Sequence, residues 1–432
     1  MEDLPQKRRR KTKTEEDDPQ ISIKTTYETD PTVLMRLRPP QPSVVDFGPV
    51  KEPPKRTGPV SDGESVAAVT GTGTPVAGAT TMEEIPLNKR GFRYTTCLPN
   101  TQLDDIMYSV GESKPYSVCM SASDRSGMCH VDEKTVTCEG GWRSARATAC
   151  LREGKWYHEV KVCGGEENGL VGENGTPAPA GHVRIGYSRR ESNLETPVGF
   201  DGYGYGLRDV NGDRVHVSRT KSFMPSGFTA GDVIGLLLKL PEQVEHDYTK
   251  LKRDRYPIKY KNQLFFEMLE YIPTKKMENW MNPKKGGVSA LATAGGADPV
   301  ANHILEEQSN WQPAVLEGSS IEVYKNGEYM GTMFSELLDY RPPYSKFNAS
   351  YYAGDADDGL LGYYPTVSCF KGGKVECMFD KGEFSAVNDD VKKGLESGEI
   401  KSVGERFDEM IAEDVVYDML DQVGFELLTG KL

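Results

Sequence analysis

From about Leu87 the chain reads as short apolar runs cut by turn residues. Residues 116–122, 134–138 and 145–151 are each of strand length. Residues 155–163 alternate and place Trp156, His158, Val160 and Val162 on one face. Residues 182–188 put Val183, Ile185 and Tyr187 on one face and His182, Arg184 and Gly186 on the other. Residues 232–240 are almost wholly apolar, which suits a strand buried on both faces. Asn326-Gly327 falls inside 321–330 as the two residues of positive φ in a type I′ hairpin turn. Gly372-Gly373 separates 365–370 from 374–379 as a second hairpin. Many short strands with turns between them predict a mainly β fold, an antiparallel sandwich over residues 87–388.

Two stretches interrupt this pattern. Residues 164–181 form a polar, glycine-rich loop insertion. Residues 241–318 are far longer than an ordinary strand connection; Leu264, Phe265, Phe266 and Tyr271 in their middle predict partial packing on the body. After residues 389–404, which read as a linker, the period changes from two to 3.6. Val416, Met419, Leu420, Val423 and Leu427 then share one helical face, with Asp414, Asp418 and Asp421 opposite. The segment 404–428 is therefore predicted to be an acidic, amphipathic helix whose apolar side suits another protein's groove.

Composition changes the picture at the N-terminus. Residues 1–86 are predicted to be a disordered arm: the first 80 hold eleven of the 27 prolines and two aromatics, Tyr27 and Phe47. Lys7, Arg8, Arg9, Arg10, Lys11 and Lys13 suit nuclear import, a phosphate backbone, or both. Lys89, Arg90 and Arg93, interleaved with Phe92 and Tyr94, form a second candidate DNA contact. The net charge of −13 excludes a uniformly basic nucleic-acid binder. No apolar run approaches the roughly 18 residues of a membrane helix, and the N-terminus lacks the apolar stretch of a secretory signal. The eight cysteines show no C-x-x-C spacing and read as buried thiols of a cytosolic or nuclear protein.

Catalytic motifs are missing: there is no G-x-S-x-G, P-loop or H-E-x-x-H. The six histidines lack ligand-like spacing, and His158 reads as a core residue. The run Asp355-Ala356-Asp357-Asp358 does not fit an EF-hand and reads as a solvated turn. No catalytic, cofactor or metal site is predicted. Arg184 stands out because mid-strand alternation turns it away from the apolar face. A guanidinium there can hold a carboxylate or acidic peptide in a fork that lysine cannot match.

The order of motifs carries a resemblance. Gly181-His-Val-Arg-Ile-Gly-Tyr-Ser188 is followed by Asn193-Leu194, Pro197, Gly199-Phe200-Asp201-Gly202-Tyr203-Gly204-Tyr205, residues 226–235, Leu240-Pro241-Glu242 and Tyr324-Lys325-Asn326-Gly327. This resembles the SPRY (B30.2-like) domain of the Ash-two/Bre-two family, over roughly residues 94–384 plus the terminal helix. The resemblance implies a bent β-sandwich and a nuclear, non-catalytic subunit of COMPASS/MLL-type complexes that methylate histone H3 lysine four. With no Cys/His cluster in residues 1–90, the chain looks like the fungal, Bre-two-type member. The family's pocket for an acidic segment of the WD-repeat subunit (retinoblastoma-binding-protein-five/Swd-one type) falls on Trp142, Arg184, Pro197 and Phe200. Trp142 and Phe200 stand where the family has tyrosines, so the aromatic surface remains without two hydroxyls. The family's docking helix for the Dpy-thirty/Sdc-one dimer falls on Val416, Met419, Leu420 and Val423. The implied neighbours also include the SET-domain methyltransferase subunit and nucleosomal DNA. A substrate adaptor of a ubiquitin ligase and a stand-alone chromatin or DNA reader are the alternative expectations.

Overall fold

The computed structural model describes residues 85–88, 91–100, 102, 103, 106, 108–111, 116–164, 181–242, 255–270, 314–341 and 358–430. All of them belong to the unit Pro40–Leu432; the unit Met1–Pro39 lies outside the described residues.

Two antiparallel sheets face one another. The first runs in the order β11 (Arg219–Lys221), β10 (Arg214–His216), β9 (Gly204–Arg208), β8 (His182–Ser188), β17 (Tyr364–Phe370), β6 (Arg143–Ala147), β3 (Met120–Arg125). The second runs β16 (Glu328–Leu338), β15 (Val315–Lys325), β12 (Val233–Leu240), β7 (Gly154–Val162), β18 (Gly373–Met378), β5 (Thr135–Cys138), β4 (His130–Asp132), with β19 (Lys401–Ser402) added in parallel to β7. Val183, Ile185, Tyr187 and Val367 of the first sheet share one core with Trp156, Val160, Leu236 and Leu238 of the second. The period-two reading of β7 and β8 therefore finds its core face, and the apolar β12 lies central, between β15 and β7. His158 accepts or donates one hydrogen bond with the Tyr187 hydroxyl at 3.0 Å, and burial pushes it down to about 3, so it is a neutral core residue. All eight cysteines are free, and seven are buried.

The structure extends the sequence reading at one place and departs from it at others. The middle of the second insertion, read as partly packed on the body, is folded. There β13 (Arg255–Tyr260) and β14 (Gln263–Leu269) form a hairpin that pairs with β1 (Phe92–Pro99), itself paired with β2 (Tyr108–Val110). Its apolar residues Leu264, Phe266 and Met268 pack with Cys97 and Tyr108 into a second small core. The stretch after the sandwich is not a linker. Asn388 caps α1 (Asp389–Ser397) by accepting from the Asp390 N–H, and Gly398 ends it at φ 79°. Val391, Leu395 and Ile400 cover Tyr157, Leu237 and Tyr324, so the second face of β7 is buried as well. Asp358 is not solvated; it is buried in an ion pair with Arg190 at 2.5 Å. The second hairpin turns on Lys371-Gly372, at φ 47° and 85°, one residue earlier than expected. Residues 165–180, 243–254 and 271–313 of the insertions lie outside the described residues.

Candidate interaction surfaces

Register places the first candidate surface. Arg184 on β8 is opposite Ser368 on β17 and Arg208 on β9, and Ser368 is opposite Ser144 on β6. Directly opposed residues share a face, so these four form one row on the outer side of the first sheet. The loop 193–200 is tied onto that row by its backbone. Leu194 O accepts the Ser144 N–H at 2.9 Å, Thr196 O accepts the Ser144 hydroxyl at 2.6 Å, and Val198 N–H donates to Ser368 Oγ at 2.9 Å. The loop closes with the Phe200 N–H donating to Pro197 O at 3.0 Å. Gly199 must be glycine: its φ is 81°, and a Cβ there would lie 2.3 Å from Val215 O. Asp201, fully buried, receives Ser192, Asn193 and Tyr203 at 2.9, 3.1 and 2.9 Å and holds the far end of the loop. Pro197 and Phe200, both half-buried, are thus fixed beside the row that carries Arg184.

Arg184 is half-buried rather than sealed in the core. Its guanidinium lies 4.9 Å above the Trp142 ring, and Trp142 stacks on Phe370 at 5.3 Å. Arg184 Nε is buried without a hydrogen-bond acceptor among the described residues. Burial, with the neighbouring Arg208 charge, lowers this guanidinium to about 10, with Asp209 opposing. A cation held over an aromatic shelf, with its Nε short of an acceptor, is suited to an incoming carboxylate. The sequence reading missed Phe370, although alternation with Thr366 and Ser368 along β17 carries it to the same face.

A buried ionic network stiffens the same sheet. Asp124 accepts from Arg146 at 3.0 Å and from Arg93 at 2.9 Å, and Arg93 reaches Glu270 at 3.4 Å. Burial alone would raise the Asp124 carboxyl, but Arg146 and Arg93 outweigh it and hold it well below the ordinary carboxylate range. Arg93, expected as part of a basic DNA-contacting cluster, is thus spent inside the fold, where its side chain is 10% exposed.

The second surface is α2 (Arg406–Thr429). Gly404, just before it, is packed so closely that a Cβ would meet Asp380 Oδ1 at 1.9 Å. Arg406 anchors the first turns, donating through Nε to Cys150 O at 2.8 Å and through Nη1 and Nη2 to Glu413, each at 2.8 Å. Further on, the acidic face turns inward. Asp418, 6% exposed, pairs with Arg255 of β13, and Asp421 lies 3.6 Å from the same guanidinium. The apolar face turns outward: Val416, Met419, Leu420 and Val423 are 41, 56, 39 and 46% exposed. A groove of about 650 Å³, rimmed by Leu103, Val110, Phe407 and Met410, opens beside this face at Val415 and Met419. Six apolar side chains, from Val415 to Leu427, are exposed in one stripe, an arrangement suited to contact with another protein.

The remaining candidates, Lys7, Arg8, Arg9, Arg10, Lys11, Lys89 and Arg90, lie outside the described residues. Among the described residues no group of His, Cys, Asp and Glu could hold a metal ion, and no helix is long and apolar enough to cross a membrane.

Fold and surfaces together define a β-sandwich interaction module, with a cation-on-aromatic patch on its sheet and a helix offering an apolar stripe. The chain is 39% identical to the Set1 complex component ash2 of Schizosaccharomyces pombe, over 80% of this chain and 47% of that protein. It is 36% identical to the COMPASS component cclA of Colletotrichum higginsianum, over 79% of this chain and 68% of that protein. The chain belongs to this ash2/cclA family of Set1/COMPASS components, and it spans about half the length of the fission-yeast relative. Among solved structures, the SPRY domain of human HERC1 is matched at 15% identity over 60% of this chain and 96% of that one, with a TM-score of 0.30. No family model matches the chain.

Proposed function

We propose that this chain is a non-catalytic scaffold subunit of a nuclear, COMPASS-type histone H3 lysine-four methyltransferase complex. The observation that carries the reading is the orientation of α2, which is seated through its carboxylates and leaves its apolar stripe to solvent. That stripe receives the Dpy-thirty/Sdc-one dimer at Val416, Met419, Leu420 and Val423. The shelf of Arg184 and Trp142, flanked by Pro197 and Phe200, receives the acidic segment of the WD-repeat subunit. Phe200 and Trp142 offer ring surface in place of tyrosine hydroxyls, so Arg184 supplies the polar anchor. By holding two neighbours of the SET-domain subunit, the chain shifts that subunit toward its active arrangement and takes no part in the chemical step. The basic residues near the N-terminus serve nucleosomal DNA or nuclear import in this reading.

The test is reconstitution. A SET-domain subunit assembled with its WD-repeat partner should methylate H3 peptide faster when this chain and the helical dimer are added. The isolated chain should transfer no methyl group. Equal rates with and without the chain, or transfer by the chain alone, would overturn the proposal.

A further inference from the structure

An amphipathic helix on a globular domain ordinarily buries its apolar side. The exposed stripe of α2 is apolar, while the side that meets the body is mixed: Phe407 packs against the main core, and Tyr417 and Asp418 are both buried. The residue facing Asp418 is Arg255, the first residue of β13. Its guanidinium lies 4.9 Å over the Phe266 ring, on the small core that β13, β14, β1 and β2 build. One edge of the guanidinium reaches Asp418 and Asp421, while Nε and Nη1 are buried without acceptors among the described residues. At the start of the helix Arg406 grips Glu413 and Cys150 O. The stripe from Val416 to Leu427 lies beyond that grip, on the stretch where Arg255 pairs with Asp418.

From this geometry we infer that Arg255 is a positioning residue: it seats α2 by its carboxylates and so presents the apolar stripe for docking. The inference rests on the reading of α2 as a docking helix. Two features separate seating from simple stabilisation. First, a buried ion pair fixes geometry while contributing little net folding energy, because desolvation offsets the attraction. Burial, with the like charges of Asp414 and Asp421, leaves the Asp418 carboxyl above its ordinary range even beside Arg255. Second, an apolar replacement for this pair would favour burying the stripe and hiding it from a partner. A charged seat excludes that alternative, since rotating the helix would leave Arg255 buried against valine and leucine. The four-stranded sheet, half of it drawn from a segment that reads as an insertion, is thereby the mount of the docking helix.

The experiment uses the full chain, with Arg255→Met, and Arg255→Asp combined with Asp418→Arg. Amide exchange over residues 415–428 is measured in the free chain, and capture of a purified Dpy-thirty-type dimer is titrated. The inference expects Arg255→Met to speed exchange in that segment and to weaken capture by about tenfold, as the docking-competent arrangement becomes a minority state. Exchange in β8 and β17 should be unchanged. The swapped pair should restore slow exchange and most of the capture. Unchanged exchange in the Arg255→Met chain, or a swapped pair that fails to restore it while β8 and β17 stay protected, would overturn the inference. If exchange responds as expected but the unmodified chain captures no dimer, the seating role stands and the docking reading of α2 fails instead.

Discussion

The two candidate surfaces are built on opposite principles. The Arg184 shelf belongs to a sheet: its row of side chains is fixed by strand register, its loop is tied down by backbone hydrogen bonds, and a buried network joins Asp124 and Arg146 of that sheet to Arg93 of β1. The α2 stripe belongs to one helix held by two arginines, with its apolar side facing water. A rigid shelf suits recognition of a few charged groups, where misplacement by an ångström costs affinity. An open helical stripe suits burial of apolar area in a partner's groove, where contact is broad and less directional. One chain can thereby hold two partners by forces that respond differently to mutation and to salt.

The largest effect should come from breaking the network that ties β3 and β6 to β1. Asp124→Ala leaves Arg146 buried without a carboxylate and Arg93 with Glu270 alone, and should cost about 3–5 kcal/mol of folding stability by urea titration. Loss below about 1 kcal/mol would show that the sheet does not depend on it. The pH dependence follows the same residue. Its folded carboxyl is depressed, so its stabilisation is complete above the ordinary range near pH 4 and is lost as pH falls toward the folded value. Acid unfolding of the wild type should therefore be steeper than that of the Asp124→Ala chain. A parallel pH profile for the two chains would remove Asp124 from the account.

Next in size is Arg184→Ala, which leaves the partner's carboxylate unpaired and should weaken the WD-subunit segment by roughly 2–5 kcal/mol in calorimetry. Folding stability should barely move, because Arg184 Nε already lacks an acceptor. Unchanged affinity would discard the shelf as the binding site. Gly199→Ala sharpens the same side of the comparison. The added Cβ meets Val215 O in a left-handed backbone, which should cost about 1–3 kcal/mol and loosen the loop that carries Pro197 and Phe200. Melting indistinguishable from wild type would show the loop to be adaptable. The smallest folding effect belongs to Val416→Glu with Val423→Glu. Both sites are exposed, so stability should stay within about 0.5 kcal/mol of wild type each, while capture of the helical dimer is lost. Retained capture would mean that the stripe is not the docking face.

How much of this was legible in the sequence follows from the range of the forces involved. Strand β8 could be read residue for residue because its alternation is local, and that reading alone turned Arg184 outward. The apolar stripe of α2 was equally local. What could not be read was the anchor of that helix: Arg255 lies some 160 residues away, in a segment read only as partly packed on the body, where a hairpin pairs with β1. The α1 helix was missed although Asn388 and Gly398 mark both of its ends, because it spans only nine residues and its apolar side chains are two, Val391 and Leu395. Asp358 and Arg93 looked like surface charges, since their partners Arg190 and Asp124 lie 168 and 31 positions away along the chain, which composition does not reveal.

The central claim is that the sheet and the helix grip two different partners independently. It is tested most directly by purifying tagged wild-type, Arg184→Ala and Val416→Glu/Val423→Glu chains from cells and identifying what stays bound. The account predicts that the first variant keeps the small helical dimer and loses direct hold on the WD-repeat subunit, that the second does the reverse, and that the wild type retains both. Loss of both partners from either variant, or of neither from both, would contradict it.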